Sequence, residues 1–144
     1  MSKRRGKQID FDKINRNLDK MAERLPRIAG VYMLNHSKKA FREQGFTDNA
    51  LKPWAKRSTK NRADKNTNKS RAILIDSGNL KRSLRIRKAN FREVIVGSYG
   101  MSYASRHNRG LKGMPERKFV GRSKVLNDKI EKLVFKEFKK AIEP

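Results

Sequence analysis

The chain has 144 residues, 38 of them Lys or Arg against 14 Asp or Glu, for a formal net charge of +24. That length fits one domain, 1–144, with a modest core, and so charged a chain repels itself unless an anionic partner or acidic neighbouring subunit offsets it. Cysteine is absent and the only histidines are His36 and His107, which excludes disulfides and thiolate metal sites and leaves no expected metal or cofactor.

Residues 1–9 read as a flexible basic arm carrying Lys3, Arg4, Arg5 and Lys7. They lead into no signal-peptide core, and no apolar run approaches the roughly 20 residues of a spanning helix, so no membrane role is expected. Phe11, Ile14, Leu18, Met21, Leu25 and Ile28 then recur at alternating spacings of three and four, one face of a helix that Asp10 or Asp12 can cap. This seam suits a coiled coil or packing on the chain's own sheet, and the second is favoured. Pro26 disfavours helical geometry at Leu25, which predicts a kink or two successive helices, the second ending near Phe41 to Gln44 with Gly45 as the stop.

Residues 56–71, KRSTKNRADKNTNKSR, hold one alanine and nothing larger that is apolar. This long basic loop buries nothing and is expected to be mobile until it meets a partner. AILI at 72–75 reads as a short buried strand, and DSGN as a turn. LKRSLRIRK begins as helical turn or extended chain and then alternates Leu84 and Ile86 with Arg85 and Arg87, a strand with one wet face. EVIVGS, 93–98, is its antiparallel hairpin partner. From Lys124 the helical period returns in Leu126, Ile130, Leu133, Val134, Phe138 and Ala141, with Ser123 as cap and Lys136, Lys139 and Lys140 at the negative end of the dipole. The predicted fold is α+β: N-terminal helices and a C-terminal helix on a small antiparallel sheet.

Chemistry finds little to work with. His107 lies near the hydroxyls of Ser98, Ser102 and Ser105, but no GxSxG elbow occurs and the nearest carboxylate in sequence is Glu116. The His107–Asn108 pair is reminiscent of histidine–metal nucleases, which require further ligands that this chain scatters singly. GSYG and GLKG lack the ending of a phosphate-binding loop. What remains is basic surface: the arm, then Lys56, Arg57, Lys60, Arg62, Lys65, Lys69 and Arg71 in the loop, then Arg82, Arg85, Arg87 and Lys88. No nucleic-acid reading motif appears, so contact with nucleic acid would be through phosphates without sequence choice. A basic face neutralised by acidic protein is the equal alternative.

Taken together, FREQG followed by Trp54 in LKPWAKRS, then LIDSGNLKRSL, VIVGSYGMSYASRHNRG and MPERKFVGRS, resemble the phage virion-morphogenesis or tail-completion proteins, including the Mu G-like group, from about Phe41 to Gly121. The resemblance matches a Ser-Gly-x-Leu turn at Ser77, Gly78 and Leu80, a Tyr-Ala pair before His and Gly at Tyr103, Ala104, His107 and Gly110, and a Pro-x-Arg-x-Phe run at Pro115, Arg117 and Phe119. Asn108 departs from it, since Gln or Glu often follows the histidine there. The resemblance implies a structural, non-enzymatic virion component of the neck or head–tail junction. It implies a homo-oligomeric ring that touches portal and tail proteins and packaged DNA. On that reading Tyr103 to Gly110 forms a short turn or helix fixed by polar side chains, His107 acts by hydrogen bonding, and Gly110, Gly113 and Pro115 direct the chain towards a neighbour. The competing readings are a sequence-neutral nucleic-acid-binding protein and, less favoured, a nuclease or other enzyme.

Overall fold

The computed structural model describes residues 8–57 and 71–143. It opens on α1, Phe11–Glu43, whose cap is Asp10: the residue is extended and its carboxylate accepts from the Lys13 N–H at 2.9 Å. The helix runs through Pro26 without a break. A proline inside a helix costs about 3 kcal/mol, and here contacts with β1, β3, β4 and α4 along the length of α1 outweigh it. The expected pair of successive helices is therefore one helix. It ends where expected, but the left-handed residue is Gln44 (φ 55°), not Gly45.

Gly45 serves another purpose. It begins a hairpin that the sequence reading missed, β1 (Gly45–Thr47) paired antiparallel with β2 (Leu51–Pro53), and a Cβ there would lie 2.6 Å from the Lys52 carbonyl oxygen. The hairpin's turn reaches across to the last helix. Asp48 accepts the Lys124 N–H through Oδ1 at 2.8 Å and the Val125 N–H through its backbone oxygen at 3.1 Å.

Residues 72–75 are a turn, not the expected strand. The Ile75 N–H donates to the Ala72 oxygen at 3.3 Å, and Leu74 takes a positive φ of 59°. Gln44 holds the segment by accepting the Ile73 N–H and donating to the Ile73 oxygen. Burial explains the apolar run without a ladder, since Ile73, Leu74 and Ile75 cap the core. After α2 (Asn79–Ser83), β3 (Leu84–Ala89) pairs antiparallel with β4 (Val94–Ser98), as expected, with a bulge that skips Arg87. The bulge leaves Arg85 and Arg87 on the same wet face, their guanidinium carbons 5.8 and 5.4 Å from the centre of the Tyr99 ring. The fold is α+β, with two separate two-stranded sheets where one was expected.

A short α3 (Ala104–Arg109) and a long α4 (Lys124–Ile142) complete the order. Ser123 caps α4 as anticipated, accepting from the Leu126 N–H at 3.1 Å. The predicted apolar face of α4 is only partly the buried one. Leu126, Leu133 and Ala141 are buried, whereas Val134 and Phe138 are exposed and Glu137 is buried in their stead. Glu137 tolerates this because Arg24 of α1 and Lys140, at 3.1 Å, both donate to its carboxylate. The main core gathers Phe41, Trp54 and Phe119, with Trp54 edge-on to Phe41 at 5.4 Å and Phe119 tilted on it at 5.2 Å.

Candidate assembly site

The residues carrying the sequence resemblance converge on one side of that aromatic core. α3 ends at Gly110, whose φ of 66° is left-handed, and the chain turns back so that the Arg117 N–H donates to the His107 oxygen at 2.8 Å. A Cβ at Gly110 would lie 2.8 Å from the Glu116 nitrogen, so only glycine lets the returning strand come so close.

Three side chains lock the returning segment. Asn108 accepts the N–H groups of Phe119 and Val120 through Oδ1, at 2.9 and 3.0 Å, and donates from Nδ2 to the Val120 oxygen at 3.0 Å. Arg117 is buried and donates from Nε to the Ala55 oxygen at 3.0 Å and from a terminal nitrogen to the Lys56 oxygen at 3.3 Å. Trp54 donates from Nε1 to the Lys118 oxygen at 2.8 Å. All three side chains bond to backbone: Trp54 and Arg117 tie the 54–57 segment to 115–120, and Asn108 ties α3 to the same stretch. Buried groups satisfied in this way fix one geometry for the chain they hold.

Ser77, Gly78, Leu80, Tyr103, His107 and Arg117 line one cavity of about 390 Å³ with Arg57 and the 73–76 turn. Phe119 and Trp54 lie behind it in the core, and Pro115 is on the exposed bend. The backbone oxygen of His107 is a hydrogen-bond acceptor, but Nδ1 of its ring is buried with no protein partner among the described residues. Tyr103 meets the ring edge-on at 5.9 Å. Burial, with the Arg117 guanidinium second, pushes the imidazole pKa below its ordinary value. The hydroxyl of Ser98 pairs with Ser83 at 2.6 Å, and Asn108 is committed to backbone.

Of the basic residues singled out for partner contact, Lys3, Arg4, Arg5, Lys7, Lys60, Arg62, Lys65 and Lys69 lie outside the described residues, as does nearly all of the 56–71 loop. Lys56 is exposed. Arg57 closes the base of that loop, donating to the oxygens of Arg71 and Ala72 at 2.8 and 2.9 Å, and Arg71 pairs with Asp76 at 2.5 Å. The sequence reading noted Asn108 as half of a His-Asn pair and as a departure from pattern; a short amide beside a reversing chain was the available signal for its clamp. No group of three or more His, Cys, Asp or Glu suited to a metal occurs among the described residues, and no helix there is long and apolar enough to cross a membrane.

The described residues form a helical frame around small hairpins, with an interior clamp built from Trp54, Asn108 and Arg117. The chain belongs to the phage virion morphogenesis family, whose model matches residues 8–139. It is a protein of phage virion assembly. Comparison with curated proteins and with solved structures finds no match.

Proposed function

We propose that this chain is a non-enzymatic structural subunit of a tailed-phage neck, part of a homo-oligomeric head–tail connector ring that completes or joins the tail. The observation that carries the reading is the use made of Arg117 and Trp54, which belong to the resemblance, and of Asn108, which departs from it. Arg117, Asn108 and Trp54 direct their polar groups at backbone and so hold the shape of the 103–119 surface. α4 supplies the contact such a subunit needs: Phe135 is 71% exposed, Phe138 45%, Val134 41% and Ile142 40%, an apolar strip on one helix. Exposed apolar strips of this kind mark protein–protein contacts.

In this reading portal and tail proteins cover the α4 strip and the 103–119 surface, and packaged DNA or acidic protein offsets the charge of +24. Loss of the gene should leave filled heads and separate tails in lysates viewed by electron microscopy, with joining restored by the wild-type chain. Joined, infectious particles in its absence would overturn the proposal.

A further inference from the structure

We infer that the groove between the second half of α1 and residues 126–136 of α4 is a binding site for the phosphodiester backbone of nucleic acid. The inference goes beyond the neck reading and does not depend on it. The groove encloses about 570 Å³, with Lys39 and Arg42 on the α1 wall and Lys129, Lys132 and Lys136 on the α4 wall, and no Asp or Glu lines it. Only Lys39 has a carboxylate within ion-pair range among the described residues, Glu43 at 3.4 Å. Another cavity between the same two helices differs in having two acids, Glu23 and Glu137, among its lining residues. Near the far end of the pair, Arg24 and Lys140 are neutralised by the buried Glu137.

Spacing fits the ligand. Lys129, Lys132 and Lys136 lie at i, i+3 and i+7, on one side of the helix and spanning about 10 Å of its axis. One strand of duplex rises about 3.4 Å per charge along the duplex axis, and the long lysine side chains extend the reach of the row to about two or three phosphates of that strand. Four of the five cations are lysines, point charges that bind phosphate without a fixed geometry.

Acidic protein fits less well, because α4 keeps its apolar contact surface elsewhere. Val134, Phe135, Phe138 and Ile142 point roughly 90° to 165° around the helix from the lysine row, and none of them lines the groove. The groove floor residues Leu126 and Leu133 are each 8% exposed, which leaves Tyr32, 39% exposed, as the apolar anchor open to a protein partner there. A second copy is disfavoured by charge, with 14 acids against 38 bases.

The test uses the full chain and a short fluorescent DNA duplex, with anisotropy measured across a salt series. Replacing Lys129, Lys132 and Lys136 with Gln should reduce the slope of log K against log salt by about 2 to 3, as loss of about two or three phosphate contacts requires. The same replacement of Lys13, Arg16 and Lys20 on the exposed start of α1 removes equal charge and should change the slope by less than about 1. Equal effects of the two triple variants would overturn the site. So would a groove variant that keeps its DNA affinity but loses binding to polyglutamate, which would assign the groove to acidic protein. Lysine acetylation of the wild-type chain gives a readout independent of folding of the variants. DNA should protect Lys129, Lys132 and Lys136 at least several-fold more than Lys13 and Lys20, and uniform protection would count against the inference.

Discussion

The amide of Asn108 holds the backbone of Phe119. Its Oδ1 accepts the Phe119 N–H at 2.9 Å and that of Val120 at 3.0 Å, while Nδ2 returns a bond to the Val120 oxygen. Asn108→Ala therefore leaves two donors and an acceptor unmet in a half-buried place, at a cost of about 2–3 kcal/mol. Asn108→Asp retains both acceptor bonds and loses only the Nδ2 donor, so its loss should be smaller. Urea unfolding of the two variants distinguishes them, and equal losses would remove the clamp from the account.

Gly110 and Gly113 have the same sign of φ, 66° and 75°, but different surroundings. Alanine at either meets a left-handed backbone penalty of about 1–2 kcal/mol. At Gly110 its Cβ would also press on Glu116 and Met114, whereas at Gly113 nothing lies within 4 Å. Gly110→Ala should thus lower the melting temperature clearly more than Gly113→Ala.

Glu137 is ionised more readily than an ordinary carboxylate. The Lys140 hydrogen bond is the main cause, with Arg24 adding to it, and both act against burial, which opposes the charge. A carboxyl whose folded pKa is lowered stabilises the fold above its unfolded pKa, and that share is lost as pH falls through the folded value. Glu137→Gln should cost about 1 kcal/mol at pH 7, given partners that are themselves well exposed. The difference from wild type should shrink below about pH 4. A penalty independent of pH would contradict the ion-pair explanation.

Both histidines have lowered pKa values with burial as the first cause. For His36 the positive charges of Lys39 and Lys129 add to burial against the bond to the Thr47 oxygen, and for His107 Arg117 adds to it. A folded state that prefers neutral imidazole is stable above the unfolded pKa near 6.5 and weakens as pH falls from there through the lower folded values. Stability should therefore decline between about pH 7 and pH 5. His107→Leu should flatten part of that slope, and NMR titration should place both imidazoles below the ordinary histidine value.

The α4 strip is expected to serve assembly and not folding. Phe135→Glu with Phe138→Glu should leave the circular dichroism and melting of the isolated chain nearly unchanged, since both side chains are well exposed. Incorporation into particles should fall at least tenfold. Normal incorporation would remove the strip from the interface.

Much of this architecture was readable in the residues. The three-and-four spacings placed α1 and α4, Asp10 and Ser123 acted as the caps that their side chains allow, and the alternation in LRIRK and EVIVGS gave the β3–β4 hairpin. What escaped depended on partners distant in sequence. Pro26 is tolerated because α1 is packed against several elements, and 72–75 is a turn because Gln44 and the core hold it. The β1–β2 hairpin is too short and too sparsely apolar to show a period. The candidate site was legible as a set of residues but not as a mechanism: His107 drew attention by type, while Asn108 beside it makes the bonds. Likewise nothing in the sequence singled out Lys129 and Lys132, which the fold brings alongside Lys39 and Arg42 of α1.

Cryo-electron microscopy of the virion that carries this chain tests the central claim most directly. The account predicts density for a ring of these subunits at the junction of head and tail, with the α4 strip against protein. Particles with this chain absent from the junction, or present only away from it, would contradict it.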